Sequence, residues 1–209
     1  MSGEQRTLPR LGEAERLALA YAPASARAKY HAVLALDARM QRLVLGAREP
    51  LLAQMKLAWW RDRTADLASG EHPVIALLSR VWTGGAAPLV GLVDAWEQVA
   101  VGEGGAIAAP RALAAGRERA FAACAQVAPA SIEEAGLPWS ALTLAARSAA
   151  PEALYDLARA SGRRKLPAAL RPLTVLDGLA RRAALRGSPL LLGDRASPFV
   201  AMRLGILGR

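Results

Sequence analysis

The apolar positions Val33, Leu36, Met40, Leu43 and Val44 recur at three- and four-residue spacing, the pattern of a helix with one buried face. Ser25 is the predicted N-cap of that helix and Gly46 its stop. Ahead of it, 12–21 reads as a short helix closed by Pro23, which disfavours helical geometry at Ala22. Behind it, Pro50 opens a second long helix that reaches about Ser69, with Gly70 after it. Leu52, Met55, Ala58, Trp59 and Asp62 fall along one side of this helix.

The later chain has the same texture. Helices are predicted over 74–81, 88–101, 110–127, 139–148 and 152–161, then over a basic segment from Leu166-Pro167 to about Arg186 with a disturbance near Pro172. A last helix is predicted over 199–207. Leu89, Leu92, Val93 and Trp96 share one face of their helix, and Leu113, Phe121 and Cys124 are expected to point inward. Gly102-Glu103-Gly104-Gly105 is the clearest breaker. No repeat or heptad array is present, and the expectation is one domain over 1–209 with a basic segment at 159–209.

Composition sharpens the fold class to all-α. Hydrophobic residues make up 53% of the 209, but aromatics only 5%; Ala and Leu, both strong helix formers, dominate. The net charge of +9 is unevenly placed. Residues 1–158 hold 16 Lys/Arg against 16 Asp/Glu, whereas 159–209 hold 11 Lys/Arg against two acids, Asp177 and Asp194. Such a surface faces an acidic counterpart or is a solvated basic face. With one cysteine there is no internal disulfide, and the polar 1–10 stretch is not a secretory signal; the expected location is cytoplasmic, with peripheral membrane association open.

Two stretches carry a resemblance. One is Tyr21-Ala22-Pro23, Arg27 and Ala32-Val33-Leu34-Ala35-Leu36-Asp37. The other is Met55-Lys56-Leu57-Ala58-Trp59-Trp60-Arg61-Asp62, followed by Gly70-Glu71-His72-Pro73-Val74. Together they resemble the squalene/phytoene synthase family, and more closely its divergent branch that includes a mitochondrial assembly factor for respiratory complex I. Gly136-Leu137-Pro138-Trp139 and Arg164-Lys165-Leu166-Pro167 extend the resemblance faintly over 130–185. It implies a shortened isoprenoid-synthase-like helical bundle.

In active members of that family, two acidic motifs hold Mg²⁺ against prenyl diphosphates, because hard Mg²⁺ bridges carboxylates to phosphates. In this chain the matching helix reads Asp37-Ala38-Arg39-Met40-Gln41-Arg42, with Gln41 and Arg42 where the resemblance puts metal-binding acids, and 141–150 contains no acid. The expectation is therefore a family-like protein without the synthase chemistry. It would serve in binding or assembly toward a protein partner or an anionic membrane surface, with no cofactor. The alternatives are a prenyl-diphosphate transferase using Mg²⁺ and the atypical acids Asp37, Asp62 and Asp66, and a metal-independent prenyl-lipid carrier. A groove is expected from Tyr30, Arg39, Trp59, Trp60 and Arg61, with one of the two tryptophans in the core.

The expected basic surface comprises Arg163, Arg164, Lys165, Arg171, Arg181, Arg182 and Arg186, interleaved with Leu166, Leu170, Leu173, Val175, Leu176, Leu179 and Leu185. That apolar stripe either lies on a membrane or forms core. No nucleic-acid partner is expected, because neither an aromatic platform nor a helix-turn-helix pattern is present. His72 reads as a turn residue that packs or caps, and Cys124 as a small core residue.

Overall fold

A computed structural model describes residues 7–67, 72–102, 105–162 and 164–208. Among these residues the chain is all-α, with no strand. The helices are α1 (Glu13–Ala20), α2 (Arg27–Leu45), α3 (Pro50–Ala65), α4 (Pro73–Val81), α5 (Ala87–Val101), α6 (Gly105–Ala125), α7 (Leu137–Ala145), α8 (Glu152–Ala160), α9 (Arg171–Leu185) and α10 (Ser197–Leu207). Ser69, Gly70, Glu71, Glu103, Gly104 and Arg163 lie outside the described residues.

The order of packing follows from which faces are apolar. α2 is the central element: Val33, Leu34, Ala35, Leu36 and Met40 are all buried, and α2 touches α1, α3, α4, α5 and α6. α5 and α6 form the closest pair, because Gly116 sits directly over Leu92 and Ala95. A Cβ at Gly116 would stand 2.5 Å from that of Ala95 and 3.0 Å from the Gly91 carbonyl oxygen. The second half, α7 to α10, wraps on α9, and one hydrophobic cluster runs from Leu11 to Leu204. No helix among the described residues is long and apolar enough to cross a membrane.

Several local expectations are corrected. α2 starts at Arg27, two residues later than Ser25, and no side chain caps it. The turn before it is held instead by the Arg27 guanidinium donating to the Ala22 carbonyl at 3.1 Å. α6 starts at Gly105, so Pro110 sits inside a helix it was expected to open, at the loss of one backbone hydrogen bond. Pro172 causes no disturbance. It occupies the first turn of α9, where its missing N–H has no partner to lose, and a short 3₁₀ segment at 168–170 leads in. Gly102, at φ +71°, ends α5 in the left-handed geometry that glycine adopts freely.

Candidate functional site

Asp37 lies deep in the bundle. Its carboxylate faces Arg117 of α6, with Arg117 Nη2 2.8 Å from Oδ2 and Nε 3.2 Å from Oδ1. Trp96 of α5 donates its indole N–H to Oδ1 at 2.8 Å. The remaining edge of the guanidinium donates to Ser140 and Thr143 of α7 at 3.2 and 3.1 Å. Its flat face lies 3.7 Å from the Trp139 ring centroid. The result is a buried charge pair with nearly every polar atom satisfied, the condition under which such a pair is tolerated in a low-dielectric interior.

This arrangement does not fit Mg²⁺. A guanidinium occupies the position beside Asp37 that a cation would need, and Arg42 one turn on reaches back to the Arg10 carbonyl. Asp62 and Asp66 lie exposed on the last turn of α3 and its cap, and among the described residues no group of three His, Cys, Asp or Glu could hold a metal ion.

The expected groove residues do not share one wall. Tyr30 is buried, donates its hydroxyl to the Ala169 carbonyl at 2.7 Å, and packs edge-on against Phe121. Trp60 is the buried member of the tryptophan pair, between the Arg39 guanidinium and the His72 ring. His72 packs there and caps α4 by accepting from the Val74 N–H at 3.2 Å. Trp59 points outward under Arg63. Arg61 reaches across to α5 and pairs with Asp94 and Glu97. Of the five, only Arg39 lines a cleft of about 830 Å³ between the N-terminal segment, α2 and α3.

The basic residues converge better. Arg164, Lys165, Arg181 and Arg182 line one cavity of about 440 Å³ with Arg203 of α10, a residue the sequence reading passed over. Arg181 is buried; it pairs with Asp177 at 3.0 Å and donates to the Ser161 and Gly162 carbonyls. Arg182 and Arg186 both pair with Asp194. Asp194 also accepts from the Ala196 and Ser197 N–H groups, which stitches the end of α9 to the start of α10. The Arg182 hydrogen bond is the main cause holding the Asp194 carboxyl below its ordinary range. Arg171 lies near Gly208, which follows α10.

The apolar stripe on this segment divides. Leu166, Leu170, Leu173, Val175, Leu176 and Leu179 are core, so the membrane alternative for that stripe falls away; Leu185 alone is exposed. The apolar face that meets solvent is on α10. Phe199 is 69% exposed, Met202 47% and Ile206 62%, spaced three and four apart on one side, with Leu207 beside them. A second outward patch on α3 holds Leu51, Leu52, Met55 and Trp59.

Two further acids were not read as site residues in sequence. Burial raises the Glu118 carboxyl to about 7, and its Oε1 accepts from the Gly136 N–H at 2.9 Å. Burial likewise raises Asp177 to about 7, against the lowering pull of Arg181. The one legible signal was Asp177 four residues before Arg181 on an otherwise acid-free helix. No family model matches the chain, and no curated protein or solved structure matches it.

Proposed function

We propose that this protein is a binding protein that docks on an anionic lipid surface through its C-terminal helix pair. The observation that carries the reading is the outward stripe of Phe199, Met202 and Ile206 on α10, in the helix that follows the turn bearing the exposed Arg186 and Arg195. Arg195 in that turn is exposed, and the last quarter of the chain holds the whole excess of positive charge. Apolar side chains buried at the headgroup boundary and arginines facing anionic lipid are the two components of interfacial binding. Each basic residue near such a surface adds about 1 kcal/mol.

A synthase reaction of the kind the family resemblance implies would need carboxylates where Gln41 and Arg42 stand, and it would need Asp37 released from Arg117. The binding reading needs neither.

Sedimentation of the full chain with phosphatidylcholine vesicles, with and without phosphatidylglycerol, tests it. The expected result is cosedimentation with the anionic vesicles alone, reversed by high salt. Failure to sediment with either would reject the lipid surface and turn the α10 stripe over to a protein partner.

A further inference from the structure

The cavity behind the α10 stripe has a composition that calls for a ligand of its own. Its walls are mainly apolar, from Leu166, Leu185, Val200 and Leu204. Small residues let its walls pack closely: a Cβ at Gly178 on α9 would run into Leu204, and one at Gly208 after α10 into Arg171. At about 440 Å³ it falls within the size range of small-molecule pockets.

The polar part of the lining is strongly one-signed. Five cations line the cavity against one acid, Asp177. Arg181 and Arg182 are paired with Asp177 and Asp194, whereas Arg164, Lys165 and Arg203 make no ion pair among the described residues. Arg182 Nε, in a lining residue, is buried without a hydrogen bond, and as a donor it calls for an acceptor such as an anionic oxygen.

The geometry points to a phosphomonoester on a short hydrocarbon chain as the ligand of this cavity, its chain against the leucines and its headgroup between Lys165 and Arg203. A phosphate monoester carries close to two negative charges near neutral pH, which matches three cations lining one cavity better than a carboxylate does. Guanidinium groups also fit phosphate oxygens two at a time. The site is separate from the outward stripe and would fill in the absence of a bilayer.

Calorimetry of the full chain with decyl phosphate below its micellar concentration, with decanol and with inorganic phosphate tests the assignment without vesicles. Decyl phosphate is expected to saturate at one per chain, and decanol and inorganic phosphate to bind at least about tenfold more weakly. Arg203→Gln with Lys165→Gln is expected to weaken decyl phosphate by about tenfold or more while leaving the melting temperature unchanged. Val200→Trp should fill the cavity and abolish binding, yet leave sedimentation with anionic vesicles intact. Equal binding of decyl phosphate and decanol, or no effect of the double neutralisation, would overturn the proposal; both are readable even if Val200→Trp does not fold. Vesicles containing phosphatidic acid that displace the probe assign the site to a lipid headgroup, and failure to displace it assigns it to a soluble phosphomonoester. Either result upholds the shared chemistry.

Discussion

Arg117 and Asp37, eighty residues apart in sequence, form a two-pronged ion pair in which both side chains are almost wholly buried. The pair ties α2 to α6, and its neighbours Trp96 and Ser140 bring in α5 and α7. Removing one partner leaves the other charge uncompensated in the interior, which costs about 3–5 kcal/mol. Asp37→Ala should therefore lose most of the protein's stability. Asp37→Leu combined with Arg117→Met should lose less than the sum of the two single changes. Urea denaturation of the four proteins checks this; additive losses would mean the two charges do not interact.

Glu118 sets a pH dependence with a definite sign. Its carboxyl ordinarily titrates near 4.5, and burial raises it to about 7 in the folded protein. Between those values the native state holds more protons than the unfolded state, so stability falls as pH rises through that window and levels off above it. Asp177 acts in the same direction from 3.8 to about 7. The melting temperature should be higher at about pH 5.5 than at about pH 8. Glu118→Gln keeps an acceptor for the Gly136 N–H and should flatten the curve while raising the melting temperature at the higher pH. A stability that increases over this range would contradict the assignment.

Gly116 is where α5 and α6 approach most closely. Gly116→Val has no space without moving a backbone, and should cost about 1–3 kcal/mol or more by overpacking. Gly85, which meets nothing within 4 Å, should accept Ala with little change. Thermal melts of both variants make the comparison.

Arg61 bridges α3 to Asp94 and Glu97 on α5, but all three side chains are partly exposed. Solvent screening limits such a pair, and Arg61→Ala should cost less than about 1 kcal/mol by urea denaturation. A loss as large as that of Asp37→Ala would mean that this network, and not the buried pair, holds the helices together.

What the sequence revealed divides by range. The helices were legible because Ala- and Leu-rich runs are punctuated by Pro and Gly, and most ends fall within a few residues of the reading. The buried pair was not legible. Asp37 could be singled out as an acid on an apolar helix, but its partner sits on an alanine-rich helix where nothing marks Arg117 from Arg111 or Arg119. The apolar faces failed for a related reason. α10 carries one cation, Arg203, and is otherwise apolar all round: Ala201 and Leu204 turn inward while Phe199 and Met202 turn outward. With no polar stripe to mark a face, tertiary packing decides which apolar residues meet solvent. α9 shows the reverse, since its stripe is covered by α7, α8 and α10.

On the proposed reading α10, rather than the other outward patch on α3, enters a lipid surface. Cys124 is buried and its thiol is pushed up to about 12, so an exposed thiol introduced elsewhere is labelled selectively. An environment-sensitive fluorophore on Met202→Cys should brighten and shift to the blue when phosphatidylglycerol vesicles are added, while the same fluorophore on Met55→Cys should not change. An unchanged signal at 202, or a response at 55 alone, would rule out docking through α10.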